Sequence, residues 1–374
     1  MTTRRTGYVW HEQYAWHDTG THAGIVPSGP TVQPFQTFES PESKSRLAGL
    51  VEVSGLLDHL TRIRATRATD EQVLRVHTPD HVERLKAGSA GAGGDAGDGF
   101  TPYGPGSWEI ALLAAGGTIA ATAAVLRGEV DNAYALVRPP GHHARREMGM
   151  GYCLLSNVGI AIEEARAAFG VERVMIVDYD VHHGNGAQQI FWDDPDVLAL
   201  SIHQQQLFPT VGGELDETGG PGAEGTTLNI PLPAGSGNGA YLAAIERVAG
   251  PAARAFRPDL ILVSSGFDPG ALDPLGGMSV TSGGFRAVAA ALVALAEDVC
   301  GGRIVFSHEG GYSPVHVPYC GLAVLEAMSG FSTGVEDPFG PSFDDSPVHP
   351  LKPWQDDVIR AAEELADRLS GRWQ

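Results

Sequence analysis

The chemically most informative side chains follow an apolar run near the middle of the chain. Asp178, Asp180 and His182 occupy alternate positions after the run Val174 to Val177. Because successive side chains of a strand point to opposite faces, we expect these three to point the same way. Asp268 ends a second apolar run, which makes a further carboxylate available at a strand end.

Two carboxylates and one imidazole are a suitable ligand set for a catalytic metal ion. Asp180, His182 and Asp268 would supply two oxygen atoms and one nitrogen, and would leave a position open for water or substrate, as catalytic zinc sites require. A single Asp or His at such a place is more often a cap or a loop residue, but three at strand ends favour a metal site. Two carboxylates make the site harder than three histidines would, so Fe²⁺ or Co²⁺ would fit as well as Zn²⁺. The set predicts metal-assisted hydrolysis.

A pair of adjacent histidines supplies candidates for proton transfer. His142 and His143 follow the stiff segment Pro139–Gly141 just after a predicted strand. Both imidazoles could reach the reacting water there, and amide hydrolysis needs a general base and a general acid. In the second pair, His182 and His183, neighbouring strand side chains point apart, so we assign His183 a structural role.

Tyr312 is a candidate donor to a developing oxyanion. It follows Gly310 and Gly311, which allow a sharp turn of the backbone after a strand. Taken alone, a tyrosine after two glycines is more typical of a packed loop aromatic. The glycine-rich string 235–239 has no strand leading directly into it, as a phosphate loop requires, and the sequence contains no GxSxG elbow. P-loop enzymes and serine hydrolases therefore find no support.

Strand-like and helix-like patterns alternate along the chain, which predicts an α/β fold with a parallel sheet and crossover helices. The predicted strands are Ala133 to Arg138, Val174 to Asp178, Val197 to Ile202, Leu260 to Ser265 and Ile304 to Ser307. The predicted helices are Ser40 to Leu60, Ser107 (as N-cap) to just before Gly128, Asn157 to Ala168, Ala240 to Phe256, Ser282 to Val299 and Trp354 to Leu369. In open parallel sheets ligands bind beyond the carboxyl ends of the strands, where the candidate residues fall.

Three long segments could frame that edge of the sheet. Residues 88–106, 208–225 and 331–350 are rich in Gly, Pro or acidic residues. Substrate-binding loops and disordered insertions share this composition, so both interpretations stay open. No linker or change of composition divides the 374 residues, and we predict one catalytic domain over residues 1–374.

Composition restricts the partners. The formal net charge is -20, with 25 Lys and Arg against 45 Asp and Glu, which argues against nucleic acid as a direct partner and would attract cationic substrates. The apolar run Ile110 to Leu126 is rich in Ala and Gly and short for a bilayer, so we predict a buried core helix and no membrane association. A homo-oligomer stays open.

Cysteine usage and the first residues indicate a compartment. Three cysteines form no CxxC pair and leave an odd count, as expected in a reducing environment, and they are predicted to be small core residues: Cys153, Cys300 and Cys320. Residues Met1 to Trp10 contain no apolar signal segment. We therefore expect a cytoplasmic location.

Six segments together resemble the zinc-dependent histone deacetylase and acetylpolyamine amidohydrolase superfamily, nearest to its class II deacetylases and bacterial histone-deacetylase-like amidohydrolases. They are Arg138 to Ala144, Asp178 to Gly186, Ser201 to His203, Gly266 to Asp268, Asp273 to Gly277 and Glu309 to Tyr312. The resemblance covers nearly the whole chain, and the motifs are highly specific as a set. It implies an arginase-like three-layer α/β/α sandwich around a mostly parallel, eight-stranded sheet.

The resemblance also implies roles for individual residues. By it, the zinc ligands are Asp180, His182 and Asp268; the general base is His143, its electrostatic and acid partner is His142, and the carbonyl-polarising donor is Tyr312. A structural potassium ion is implied near Asp178, the carbonyl groups of Asp180, His182 and Ile202, and the hydroxyl of Ser201. The acyl-lysine tunnel is implied at Gly151, Tyr152, Phe208, Leu275, Gly310 and Gly311, with Asp98 at its rim and with Asp178 and Asn185 supporting the histidines.

Two positions depart from patterns within the superfamily. Tyr152 stands where phenylalanine is usual, so its hydroxyl could narrow or polarise the tunnel, and the preferred acyl group stays open. Asn185 stands where class I members have aspartate, and a neutral partner raises the pKa of His143 less than a carboxylate would. The second departure favours class II.

We therefore predict a metal-dependent amidohydrolase that removes acetyl or related acyl groups from acylated lysine or similar amines. One alternative is an acetylpolyamine deacetylase, which Leu275 disfavours because that specialisation is associated with an acidic residue there. A second is an arginase-type ureohydrolase on two metal ions, which Tyr312 and the adjacent histidines disfavour. A third is a non-catalytic metal-binding scaffold, which would not need Tyr312.

Overall fold

An eight-stranded sheet forms the centre of the computed structural model, which describes residues 3–343 and 345–373. The strands are β1 (Thr6–Val9), β2 (Thr21–Ala23), β3 (Val26–Pro27), β4 (Phe35–Gln36), β5 (Leu60–Arg62), β6 (Gly94–Asp95), β7 (Pro102–Tyr103), β8 (Asn132–Ala135), β9 (Val174–Asp178), β10 (Val197–Gln204), β11 (Thr227–Leu232), β12 (Leu260–Ser265) and β13 (Ile304–His308). The large sheet has the order β11-β10-β9-β12-β13-β8-β1-β5, and each of its pairings is parallel. Strands β2 to β4 and β6 to β7 form two small antiparallel sheets.

Helices cover both faces of the large sheet. They are α1 (Glu42–Val53), α2 (Asp70–Leu74), α3 (Pro79–Ala90), α4 (Ser107–Leu126), α5 (Asn157–Phe169), α6 (Asn185–Ile190), α7 (Asn238–Ala244), α8 (Gly250–Phe256), α9 (Ser282–Cys300), α10 (Val317–Ser329), α11 (Gly340–Phe343) and α12 (Pro353–Leu369). A π-helical turn at Ile245–Ala249 joins α7 to α8. Short 3-10 segments lie at Glu12–Trp16, Leu56–His59 and Ser370–Arg372.

Two apolar cores explain the three layers. Met175 and Val177 of β9 pack into a core with α1, α9 and α10, whereas Val174 and Ile176 pack into a core with α4 and α5. Successive strand side chains point to opposite faces, so one strand contributes to both cores. A strand buried on both faces has the continuous apolar sequence that parallel sheets require. The predicted three-layer architecture with an eight-stranded sheet is confirmed.

Helix α4 is a core helix. It is long and apolar enough to cross a membrane, but 78% of its apolar window is buried inside the fold. The three cysteines are likewise free and buried. The prediction of a buried core helix and the prediction of buried cysteines are both confirmed.

The predicted element boundaries were wrong at several places. The helix predicted from Ser40 to Leu60 ends at Val53, because Gly55 adopts a left-handed φ of 78° and turns the chain. Leu60 begins β5 instead, an edge strand that the sequence pattern did not predict. Strands β1 and β11 were also missed: β1 has only four residues, and β11 contains a proline that interrupts its strand-like sequence.

Two further corrections concern polar residues near strand and helix ends. Strand β8 stops at Ala135, so Arg138 lies beyond the sheet, where it is fully buried. Ser107 is not the N-cap of α4, because Gly106 occupies that position with a φ of 77°. The Ser107 hydroxyl lies 2.9 Å from His17 Nδ1 instead and is satisfied by that contact.

Candidate active site

The loops after two neighbouring strands bring the predicted metal ligands together. Strand β9 ends at Asp178 and strand β12 at Ser265, so Asp180, His182 and Asp268 all lie in the loops beyond them. The ligand atoms of these three residues lie within 4.8 Å of one another. Asp180, His182 and Asp268 therefore meet as a group, although strand β9 ends before Asp180 and Asp178 contacts His142 instead.

Backbone amides fix the two carboxylates. The Gly310 N–H donates to Asp180 Oδ2 over 2.8 Å, and the Val181 N–H donates to Asp268 Oδ1 over 2.8 Å. Any Cβ at residue 310 would overlap both carboxylates, which explains the glycine there. The remaining oxygens, Asp180 Oδ1 and Asp268 Oδ2, each lie 3.1 Å from His182 Nδ1. Three donor atoms therefore point at one another from fixed positions.

The electrostatics of this cluster favour a cation. Burial alone would lower the pKa of His182, but hydrogen bonds to Asp180 and Asp268 raise it to about 10. Burial and the neighbouring Asp180 charge raise the pKa of Asp268 to about 7. Two buried carboxylates repel one another unless a positive charge lies between them. Two oxygens and one nitrogen in this arrangement fit a divalent transition metal ion.

The histidine pair lies against this cluster and is held by two acidic residues. His142 Nδ1 is 2.9 Å from Asp178 Oδ2, and the rings of His142 and His143 are 4.0 Å apart. The Glu309 carboxylate accepts the N–H groups of Gly141 and His142 over 2.6 and 3.0 Å. Burial would lower the pKa of His142, but the Asp180 and Asp178 charges raise it well above its ordinary value. His142 therefore favours the protonated form.

His143 has the opposite tendency. Burial and the positive charges of His142 and His182 hold the pKa of His143 well below its ordinary value. Its Nδ1 lies 2.6 Å from Asn185 Oδ1. The reverse amide orientation places Asn185 Nδ2 at the same 2.6 Å and its oxygen 3.3 Å from Arg145 Nε. Only the first orientation makes Nδ1 the protonated nitrogen and leaves Nε2 free to accept a proton.

A charge at position 185 is expected to move the pH profile. An Asn185→Asp variant places a carboxylate against His143 Nδ1 and raises the pKa of His143. A general base works when deprotonated, so the acidic limb of kcat/KM moves to higher pH, by about one unit or more. Profiles of the wild type and the variant on one substrate provide the measurement, with Asn185→Ser as the uncharged control. An unchanged or lower limb would contradict the base role of His143.

An apolar cavity leads from these histidines to the surface. A pocket of about 240 Å³ is lined by Ile25, Phe100, His143, Gly151, Tyr152, His182, Leu207, Phe208, Leu275 and Tyr312. The predicted tunnel residues Gly151, Tyr152, Phe208 and Leu275 are thus brought together, whereas Gly310 and Gly311 lie outside the lining. Ile25, Phe100 and Leu207 were not predicted as lining residues, because single apolar residues in loops form no periodic pattern.

The loop containing Asp98 holds one wall of this tunnel. Asp98 Oδ2 accepts the Gly151 N–H over 2.8 Å, and its Oδ1 accepts the Phe100 N–H over 2.9 Å. The Thr101 hydroxyl accepts the Tyr152 N–H over 3.0 Å. Gly151 has a φ of 54°, and a Cβ there would overlap the His143 ring. Asp98 therefore braces the wall with both of its oxygens.

Helix α1 braces the segment that carries Tyr312. The Ser43 hydroxyl donates to the Gly311 carbonyl over 2.9 Å, and Lys44 Nζ lies 5.3 Å from the centre of the Tyr312 ring. The Tyr312 N–H donates to Asp273 Oδ2 over 2.7 Å. Contacts on both sides fix the backbone of Tyr312 while its ring faces the tunnel.

A buried ion cluster supports the histidine turn from behind. The Glu39 carboxylate binds the guanidinium of Arg138 over 2.7 Å and the ammonium of Lys44 over 3.2 Å, and all three side chains are at most 1% exposed. Arg138 directly precedes the segment Pro139–Gly141, so this cluster anchors the turn that presents His142. The sequence did not reveal it, since Glu39 and Arg138 are far apart in the chain.

The residues predicted near a potassium ion lie next to the metal cluster. Ser201 Oγ is 2.9 Å from His203 Nδ1 and accepts the Gly184 N–H over 3.4 Å. Asp178 and Ser201 line one cavity of about 10 Å³. His183 lines the same cavity, and its Nε2 lies 2.8 Å from Gln188 Oε1.

The three long segments differ in what they contribute. Residues 88–106 supply Phe100 and residues 208–225 supply Phe208 to the tunnel. The segment 331–350 packs elsewhere, since the His349 carbonyl accepts the Gly239 N–H over 2.8 Å and Asp337 accepts the Ser282 hydroxyl over 2.7 Å. Among the described residues, those of segments 88–106 and 208–225 line the tunnel, and those of 331–350 do not.

Comparisons with known proteins agree with this geometry. A model of the histone deacetylase domain matches residues 37–328. The chain is 49% identical to the histone deacetylase-like amidohydrolase of Pseudomonas aeruginosa, over 90% of the chain and 89% of that relative. It is 37% identical to a probable deacetylase of Archaeoglobus fulgidus, over 87% of each. The crystal structure of the HDA15 HD domain superimposes with a TM-score of 0.82 at 31% identity, covering 98% of this chain and 97% of that one. The chain therefore belongs to the histone deacetylase family of amidohydrolases.

Proposed function

We propose that the chain is a metal-dependent deacylase that hydrolyses the amide of an acylated lysine or a similar acylated amine. The observation that carries this proposal is the meeting of His143, His182 and Tyr312 on one apolar cavity of about 240 Å³. A proton acceptor, a metal-ligand histidine and a phenol donor around a narrow apolar space are what hydrolysis of an acyl amide needs.

Asp180, His182 and Asp268 would hold the metal ion, with Zn²⁺ as the first choice and Fe²⁺ or Co²⁺ as alternatives. When bound, a divalent ion supplies a Lewis acid that polarises a carbonyl group and acidifies water. We further propose the structural potassium ion near Asp178 and Ser201. Both residues line one cavity of about 10 Å³, although Asp180, His182 and Ile202 do not line it.

The histidine pair transfers protons, and His142 and Tyr312 stabilise negative charge. His143 accepts a proton from the attacking water at Nε2 while its Nδ1–H donates to Asn185. His142, protonated and held by Asp178, stabilises negative charge nearby, and the histidine pair returns a proton to the leaving amine. The Tyr312 hydroxyl donates a hydrogen bond to the substrate carbonyl oxygen, most strongly as negative charge develops there.

The tunnel mouth favours an acyl-lysine over an acetylated polyamine. Within the described part of the chain no Asp or Glu lines the tunnel, and Ile25, Phe100 and Leu275 give it an apolar lining. Asp98 lies beside it but binds two backbone amides. A polyamine carries further ammonium groups beyond the acylated nitrogen, and these need a carboxylate or water. An arginase-type site on two divalent ions is disfavoured by Tyr312 and by the adjacent histidine pair, which lie at the metal cluster.

A substrate panel tests the proposal. The wild type is expected to turn over acetyl-lysine peptides faster than acetylspermidine. Leu275→Glu places a carboxylate at the mouth and should raise relative activity on acetylspermidine by about two- to fivefold, the range of a partly exposed ion pair. Leu275→Gln is the uncharged control of equal size. Preference of the wild type for acetylspermidine would overturn the substrate assignment, and no turnover of any acylated amine would overturn the enzyme assignment.

A further inference from the structure

A second cavity lies beside the edge strand β5, between the chain after β5 and helix α4. Its volume is about 440 Å³, and it shares no lining residue with the tunnel. Four arginines line it, with one acidic residue: Arg62, Arg64, Arg67 and Arg127, with Glu129. In a chain of net charge -20, this is a local reversal of sign.

The donors of these arginines are largely unused. Arg62, Arg64 and Arg67 are exposed to solvent, and among residues 3–343 and 345–373 their side chains make no hydrogen bond or ion pair with a protein group. Arg127 approaches Glu129 only to 3.9 Å, and both side chains are 58% exposed. Such a pair contributes little in water. The cavity therefore presents guanidinium groups that no acidic side chain of the described chain neutralises well.

The backbone that carries the arginines is held in place. The Ile63 N–H donates to the Tyr8 carbonyl over 2.9 Å, and the Ala68 N–H donates to the Leu112 carbonyl over 2.8 Å. Between these anchors the Thr66 carbonyl packs onto Gly116 of α4, where any Cβ would overlap it. The segment between β5 and α2 is thus fixed against α4, and a ligand would not have to order it.

Protection of the sheet edge does not explain this set. Charged residues on an edge strand discourage pairing with another chain, and β5 is an edge strand that ends at Arg62. Arg64 and Arg67 lie beyond the strand, and Arg127 follows α4. Edge protection therefore accounts for Arg62 alone.

We propose that this cavity binds a nucleotide-sized phosphorylated molecule. The arginines would bind the phosphate oxygens, since a guanidinium presents paired N–H donors that match phosphate geometry. Ile119, Ala120 and Ala123 of α4 provide an apolar floor for an uncharged ring. The volume falls in the range of about 300 to 1,000 Å³ that small-molecule sites occupy.

Titration calorimetry with ADP, without divalent ions and at constant ionic strength, tests the proposal. The wild type is expected to bind ADP, to bind inorganic phosphate more weakly, and to bind adenosine most weakly. Arg64→Gln/Arg67→Gln should weaken ADP binding about tenfold or more, because charge-assisted hydrogen bonds are lost. Arg257→Gln/Arg368→Gln is the matched control, since both arginines are exposed and lie outside the cavity.

A second variant changes the wall of the cavity that helix α4 forms. Ala120→Trp fills it from α4 and should abolish ADP binding without removing any charge. Deacylase activity and the melting temperature without ligand should stay close to wild type in both variants, which separates this proposal from the proposed function. No ADP binding by the wild type, equal binding by Arg64→Gln/Arg67→Gln, or binding of single-stranded DNA in place of ADP would overturn it.

Discussion

Replacing Asp268 by alanine is expected to abolish metal retention and deacylation while the fold persists. Asp268 is fully buried, and its Oδ2 is one of two carboxylate oxygens 3.1 Å from His182 Nδ1. Loss of one of three ligands should leave the site unable to hold a divalent ion, and kcat should fall about 1,000-fold or more with the loss of the Lewis acid. Metal analysis, kcat and circular dichroism on the same sample provide the measurement.

The expected persistence of the fold has its own physical reason. Burial and the Asp180 charge raise the pKa of Asp268, so removing this carboxylate also relieves repulsion inside the fold. Asp268→Asn is the matched control, because its amide oxygen still accepts the Val181 N–H but is a weaker ligand. A chelator should inactivate the wild type, and added Zn²⁺ should restore only the wild type. An unfolded Asp268→Asn variant would make this residue mainly structural, and full turnover in metal-free wild type would overturn the metal assignment.

Tyr312→Phe is expected to give the second large effect. The change keeps the ring and its packing beside Lys44 and deletes only the proposed donor to the substrate oxygen. If the phenol stabilises charge that develops in the transition state, kcat should fall by about 100- to 1,000-fold, roughly 2.7 to 4 kcal/mol. Metal content and melting temperature should barely change.

Tyr152→Phe is the control, because the structure offers a second phenol in the same tunnel. The two rings are 5.8 Å apart, but only Tyr312 is proposed to donate to the substrate oxygen. Its loss should therefore leave kcat near wild type. A packed loop tyrosine at position 312 would show the reverse pattern, with normal kcat and a lower melting temperature, and that result would refute the proposed role.

The sequence predicted the grouping of the three metal-ligand candidates better than it predicted the residues around them. Asp180, His182 and Asp268 could be grouped because strand ends of a parallel sheet meet at one edge, and the structure brings them together. Their geometry could not be predicted, since Asp180 and His182 lie past the end of β9, and the amides of Gly310 and Val181 hold the carboxylates of Asp180 and Asp268. Local periodicity contains no information on such contacts.

Features that depend on contacts between distant parts of the chain could not be predicted for the same reason. Ile25 and Phe100 reach the tunnel from loops far from the metal ligands in the chain. The pairing of Glu39 with Arg138 joins residues 99 positions apart. The edge strand β5 is only Leu60–Arg62, too short for an alternating pattern to be recognised.

The four residues Glu309 to Tyr312 contact the histidine turn, a metal-ligand candidate, helix α1 and the tunnel. The Glu309 carboxylate holds the N–H groups of the histidine turn, the Gly310 N–H holds Asp180, the Gly311 carbonyl is bound by α1, and Tyr312 faces the tunnel. Because these four residues are consecutive, the backbone itself fixes the distance from one of these contacts to the next. Adding or deleting one residue after β13 would misalign the acid–base pair, the metal ligands and the phenol at once. The described residues of segment 331–350 do not line the tunnel, so that segment could accommodate such a change.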